Sequence, residues 1–430
     1  MYISLEGDEH RDAPGSARKT GLVRVSSVVV TLGVVSLLTD VSSESVAAIL
    51  PLYVTSALGL STIAYGFIDG LYQGVSAIVR IGGGWASDRA DRPKWIAFAG
   101  YALSAVAKIW LLLATGFAAL IAVITVDRLG KGIRTAPRDA LITAESDPSN
   151  LGRSFGVHRM LDTIGAALGP LIAFLILWLV PTGYTVVFVV ALATAAVGVV
   201  VLGLLVPDRQ PRREGAIDGH VRTPFRWRNL TDPRLRRLMA VAGLLGVLTI
   251  GDGFVYLSLQ ARTDFAAQWF PLLYVGTNVA FFLFAVPFGR LADRLGRARV
   301  FVWGHIALLL AYAATVLPFG GTATIVACLL LLGAFYAATD GVLAALAGQF
   351  APQGSTASGI AATQTVVALA RLIASTGFGV LWFTLGRANA ALVVTAALML
   401  AIAVAAVLIR PLNRAGVREA ARHDSARGSV

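Results

Sequence analysis

One cysteine, Cys328, serves the whole chain of 430 residues. An intramolecular disulfide and a C-x-x-C site are therefore both excluded. Charge is scarce too: Asp, Glu, Lys and Arg make up 14% of residues against 57% hydrophobic, too apolar a balance for an ordinary soluble protein. No G-x-x-x-x-G-K-[ST] loop occurs and no polar stretch could form a nucleotide-binding domain, which excludes an ATP-driven machine. Of the five histidines only His158 and His305 fall in apolar runs, and no dense set of metal ligands accompanies them. No nucleophile–base constellation appears, so neither enzyme chemistry nor a cofactor is expected. Residues 1–20 mix acids and bases without an apolar core or a small-residue cleavage site, so they are expected to form a tail and not a signal peptide.

What the chain has in abundance is apolar runs of about 20 residues, each long enough to cross a bilayer core. Backbone groups in lipid must be satisfied internally, so these runs should be helices. Length and turn punctuation place a first group near 24–57, 61–85, 95–115, 117–143, 153–180 and 184–206. A second group of six falls near 237–261, 268–291, 299–318, 323–349, 356–384 and 389–410. The domain reading is a tail at 1–23, a six-helix bundle at 24–206, a linker at 207–236, a second bundle at 237–410 and a tail at 411–430. The linker carries eight arginines, Arg209, Arg212, Arg213, Arg222, Arg226, Arg228, Arg234 and Arg236. The net charge of +12 concentrates in alternate connections, which is the positive-inside pattern and not a nucleic-acid footprint. Both termini and the linker are thus expected in the cytoplasm of a bacterial-type plasma (inner) membrane. The partners expected are the bilayer, protons and a small-molecule substrate, with the chain itself a monomer.

An eleven-residue turn occurs twice, as G-W-A-S-D-R-A-D-R-P-K from Gly84 and G-R-L-A-D-R-L-G-R-A-R from Gly289. The copies align at Gly84/Gly289, Asp88/Asp293, Arg89/Arg294 and Arg92/Arg297. A charged turn duplicated half a chain apart implies two related halves, a plan in which substrate sits near the midplane and the halves rock. Physically, the glycine permits close helix approach, the aspartate can take hydrogen bonds or pair with arginine, and the arginines pin the turn to one face. The cluster is expected to act as a gate latch. The turn resembles the loop signature of the major facilitator superfamily, and the resemblance spans about residues 24–410. It implies an all-α integral membrane fold of twelve transmembrane helices in two pseudo-symmetric six-helix bundles. One departure is Asp91, which stands where that signature has the glycine kept at Gly296.

Two further elements resemble the same superfamily. Gly156, Gly165, Gly169 and Pro170 fit G-x8-G-x3-G-P, similar to its antiporter motif, although Ala173 and Phe174 replace the trailing glycines. Arg128-Leu-Gly-Lys131-Gly132 resembles its R-x-x-Q-G element, with Lys131 in the glutamine position. The resemblance implies that Arg128 takes part in proton coupling.

Charges inside apolar runs are costly and mark function. Ser36, Asp40, Ser43 and Glu44 form one helical stripe, and Asp40 and Glu44 are the expected proton carriers together with Arg128. Residues expected to line the substrate cavity are Asp69, Tyr72, Gln73, His158, Arg159, Asp162, Asp252, Tyr256 and Arg371, with Asp340 a further acid of the second half. Tyr65, Phe281, Phe282 and Tyr336 could add an adaptable apolar wall. The expected activity is proton-coupled efflux of small amphiphilic molecules. The alternatives are export of metal ions or chelates, for which carboxylates and His158 would be ligands, and a non-transporting membrane sensor. The first half, with most of the buried charge, is expected to carry the coupling.

Overall fold

The computed structural model describes residues 25–89, 92–147, 150–208, 232–317, 320–351 and 356–427, with side chains at 76–78, 80–91, 356–357 and beyond 411 outside the description. Among the described residues the chain forms thirteen α-helices, α1 to α13, and no strand. The first half holds α1 (Ser27–Leu52), α2 (Thr62–Arg89), α3 (Pro93–Leu113), α4 (Phe117–Ala144), α5 (Leu151–Leu179) and α6 (Tyr184–Leu205). The second holds α7 (Pro233–Gly246), α8 (Asp252–Thr263), α9 (Pro271–Leu295), α10 (Arg297–Ala314), α11 (Thr322–Phe350), α12 (Thr356–Leu385) and α13 (Arg387–Arg427). The end of the molecule to which the 207–232 connection returns is called the base, and the opposite one the far end.

Helix starts follow local chemistry. Ser26 caps α1 by accepting from the Val28 amide, and Asp232 caps α7 by accepting from Arg234 and Leu235. Pro93 and Pro233 open their helices, where a missing amide proton costs nothing. Pro51 lies inside α1, which passes into a π turn at Tyr53–Ala57; a proline's lost donor and ring clash favour such local rewinding.

Eight helices, α1, α3, α5, α6, α9, α11, α12 and α13, have the length and apolarity of a membrane crossing. The remaining crossings, α2, α4, α7 with α8, and α10, carry internal charge, a break or a basic start. Span seven, expected as one helix over 237–261, is divided: α7 ends at Gly246 and α8 begins at Asp252. Gly243, Gly246, Gly251 and Gly253 crowd this stretch, and a broken span frees backbone groups at mid-depth. The helix α13 continues past 410 to Arg427, so residues 411–427, expected as a tail, are helical.

Within halves, α1 packs on α5, α3 on α4, and α10 and α9 on α11; between halves, α2 packs on α12 and α5 on α9. The contacts that join the halves lie toward the far end. Thr62 donates to the Gly379 carbonyl at 3.0 Å, Tyr65 meets Phe254 edge-on at 4.8 Å, and Phe174 of α5 lies 5.2 Å from Trp269. A side chain at Gly70 would collide with the Leu372 carbonyl at 2.9 Å, so glycines on α2 let α12 come close. The molecule is closed at the far end.

Candidate functional site

In the first half, Gly100 of α3 and Gly130 of α4 let the two backbones touch: a Cβ on Gly130 would stand 3.0 Å from the Ser104 amide nitrogen. This crossing brings Lys108 within 2.8 Å of Asp127, whose other oxygen is taken by its neighbour Arg128. The three side chains are 3–6% exposed, which makes this a buried, mutually satisfied triad. Tyr72 of α2 lies beneath the Arg128 guanidinium at 3.8 Å and donates its hydroxyl to the Ser43 carbonyl. Arg128, expected to take part in proton coupling with the span-one acids, is held by Asp127 and Tyr72, and a buried guanidinium that leaves its carboxylate loses far more than a surface ion pair would. Lys131, one turn on, faces Glu44 in its place at 4.0 Å.

The seam between α1 and α5 is set by the glycines of the G-x8-G-x3-G-P motif. A Cβ on Gly169 would stand 2.8 Å from the Ser45 amide nitrogen, and one on Gly165 would stand 2.8 Å from Leu37 Cα. Gly156 meets nothing within 4 Å, and Pro170 is buried within α5. Gly169→Val is therefore expected to force the seam apart and abolish folded protein, because backbone cannot move aside, whereas Gly156→Ala should keep wild-type yield in size-exclusion chromatography. Similar yields for the two variants would count against the seam.

This seam places Asp40 of α1 against Asp162 of α5 and Lys131 of α4. Asp162 also meets Arg159 at 3.4 Å and Arg138 at 3.9 Å. His158 is 3% exposed with neither ring nitrogen hydrogen-bonded. Its ring does not form part of the walls of the cavities it was expected to line.

In the second half the break in span seven presents Asp252 at the first turn of α8. Tyr336 of α11 donates to Asp252 at 2.8 Å, and the Arg371 guanidinium lies 5.8 Å over the Tyr336 ring and 3.9 Å from Asp340. Ser375 of α12 donates to Asp69 of α2 at 2.6 Å across the halves, and the Asp69 carboxylate rests against Gly251. Asp69, expected in the cavity, thus ties the far-end closure to the broken span. A cavity of about 680 Å³ lies on the base side of this closure. Gln73 and Arg159 reach it from the first half; Thr249, His305, Gln364 and Arg371 reach it from the second. A second cavity of about 230 Å³ adjoins it through Phe281 and Asp340 and is lined by Asp252, Tyr256, Tyr274 and Tyr336.

Of the cavity residues expected from sequence, Gln73, Arg159, Asp252, Tyr256 and Arg371 line these spaces, while Tyr72, Asp69 and Asp162 are engaged by other partners and His158 is buried without one. Sequence reasoning missed Lys108, Asp127 and Tyr274. For Lys108 and Asp127 the signal was present as ions inside apolar runs. Among the described residues no group of three or more His, Cys, Asp or Glu side chains is placed to hold a metal.

At the base, the second charged turn joins α9 to α10. Gly296 adopts φ +97°, which favours glycine, and Arg297 bonds Asp293 at 3.0 Å. Arg294 closes the last turn of α9. Gly289 meets nothing within 4 Å, so the close approach expected there is absent in this conformation. In the first copy Arg92 is exposed at the start of α3, and the side chains at Gly84, Asp88 and Arg89 lie outside the description.

A family model described as Major Facilitator Superfamily matches residues 32–375. An uncharacterized MFS-type transporter of Methanocaldococcus jannaschii is 29% identical over 370 residues, covering 83% of this chain and 89% of that one. An uncharacterized protein of Mycobacterium tuberculosis is 28% identical over 289 residues, covering 65% and 69%. Among solved structures, the nucleoside transporter NupG superposes with a TM-score of 0.73 at 15% identity, covering 89% of this chain and 99% of that one. A bacterial homolog of the human lysosomal transporter Spinster, inward-facing and unoccupied, superposes with a TM-score of 0.70 at 14% identity, covering 89% and 96%. At these identities the structural likeness concerns the fold.

Proposed function

This chain belongs to the major facilitator superfamily, and from that premise we propose that it is a proton-coupled secondary transporter exporting small amphiphilic molecules by alternating access. The observation that carries the reading is the pair of halves closed at the far end over a cavity of about 680 Å³ lined by charged side chains of both. A space lined from both halves and sealed on one side is what a rocking mechanism needs to hold cargo. With the arginine-rich linker facing the cytoplasm of an inner membrane, the described conformation is open toward the cytoplasm and ready to load.

Asp40 and Glu44 are the proposed proton carriers. They sit on the α1/α5 seam, and Glu44 meets Lys131 at 4.0 Å with both side chains about 30% exposed. At 4.0 Å this contact is at the limit of an ion pair and longer than those of Asp127, so a proton displaces it more readily. The glycines that close the seam, Gly165 and Gly169, are those of the antiporter-like motif, which supports the export direction.

The test is solute accumulation in everted membrane vesicles with and without the protein. An untargeted comparison of compounds from cell extract should reveal solutes whose uptake follows an inside-acid gradient and stops when the gradient is collapsed. Uptake indifferent to the gradient would sink proton coupling, and no solute moving at all would sink transport.

A further inference from the structure

We propose that the smaller cavity is a receptor for an ammonium group, so that the cargo is an amphiphilic organic cation whose head enters this pocket while its body occupies the larger space. The inference deepens the transport reading and rests on it.

Four observations converge. First, the walls are aromatic and acidic together: Tyr256, Tyr274, Tyr336 and Phe281 surround the space that Asp252 and Asp340 also line, and among the described residues no cationic side chain lines it. An aromatic cage presents the negative faces of its rings to a cation, and ammonium groups are its natural guests. Second, the cage is built rigidly. Tyr256 meets Tyr274 edge-on at 4.7 Å, its hydroxyl bonds Thr277 at 2.7 Å, and the Tyr336 hydroxyl is fixed on Asp252 at 2.8 Å.

Third, the local charge is unbalanced. Asp69, Asp252 and Asp340 all lie within electrostatic reach of one cation, Arg371. Three carboxyl groups around one guanidinium at membrane depth are balanced only by protons or by positive charge from outside the protein, and a cationic guest can supply that charge. Apart from Asp69, the first half differs: there Asp127, Glu44 and Asp162 lie within 4.0 Å of Lys108, Arg128, Lys131, Arg138 or Arg159. Fourth, the sizes fit a two-part guest. About 230 Å³ is below the roughly 300–1,000 Å³ of whole-ligand sites and suits a head group. The adjoining space, reached past Phe281 and Asp340, adds Phe301, Phe335, Leu343 and Val367 for an apolar body.

The experiment uses the full chain in lipid nanodiscs, with benzyltrimethylammonium and its uncharged carbon isostere, neopentylbenzene, measured by equilibrium dialysis against empty nanodiscs. The ammonium should bind saturably and the isostere should not. Asp252→Asn should weaken binding roughly thirty-fold or more, since one partner of a desolvated charge pair is lost. Tyr256→Leu should weaken it roughly three- to ten-fold. Arg371→Gln should tighten it roughly ten-fold by removing a like charge, a gain that a damaged fold would not produce. Equal binding of the isostere, unchanged affinity in Asp252→Asn, weaker binding in Arg371→Gln, or binding of radioactive sodium in place of the ammonium would each overturn the proposal. Failure of the transport reading looks different: the binding pattern persists, but no solute moves under any proton gradient. Failure of the cage alone leaves gradient-driven export intact for neutral or anionic solutes.

Discussion

Asp127→Asn is expected to remove most folded protein from the membrane, whereas Lys108→Met leaves it largely in place. Asp127 is a single carboxylate between two cations, with Lys108 at 2.8 Å on one oxygen and Arg128 on the other. Neutralising it leaves two uncompensated positive charges in a site 3–4% exposed, at a cost of about 3–5 kcal/mol. Losing Lys108 leaves Asp127 and Arg128 paired with each other. One charge-assisted hydrogen bond disappears together with one buried charge, for a net cost of about 1–2 kcal/mol. The double variant, Asp127→Asn with Lys108→Met, should recover part of the loss, because only Arg128 then remains unpaired. Monodisperse yield and thermal midpoint by fluorescence-detected size exclusion separate the three. Equal losses for Asp127→Asn and Lys108→Met would show that the triad is not held together by charge.

The triad also shows where sequence reading stops. The apolar runs and the duplicated turn made the two-bundle helical plan legible, because lipid constrains backbone hydrogen bonding strongly. Arg128 was visible as a buried charge, but its partners were not. Asp127 is its chain neighbour, and adjacent residues on a helix do not normally face one another; only the crossing at Gly100 and Gly130 brings Lys108 to join them. In the same way, Asp69 on α2 and Ser375 on α12 meet across 306 residues of sequence, which no periodicity reports. The division of span seven left a trace in four glycines around Asp252. Mean hydropathy is blind to such a local break, so the stretch resembles one continuous apolar run. Tyr274 escaped notice because a lone tyrosine in an apolar helix carries no signal until Tyr256 and Tyr336 stand beside it.

Replacing both span-one acids, by Asp40→Asn with Glu44→Gln, is expected to cut cargo-driven proton movement at least roughly ten-fold while cargo still exchanges down its own gradient. The argument contrasts two kinds of ion pair in one half. Asp127 is gripped tightly and has no low-cost alternative to its charge. Glu44 faces Lys131 at 4.0 Å with both groups about 30% exposed, and Asp40 faces another carboxyl, Asp162, as well as Lys131. Neighbouring carboxyls are relieved by a shared proton, and a loose lysine contact yields to one more readily than a tight one. The single variants should each retain part of the flux, since either remaining acid can still exchange its proton against Lys131. Proton movement is read with a pH dye in proteoliposomes on addition of a transported compound, and exchange is read with labelled cargo at zero gradient. Loss of both activities would point to a damaged cavity and away from lost coupling. If Asp252→Asn uncouples while the Asp40 and Glu44 variants are silent, coupling belongs to the unbalanced acids of the second half, and the first half is a charge-satisfied scaffold on which the broken span works.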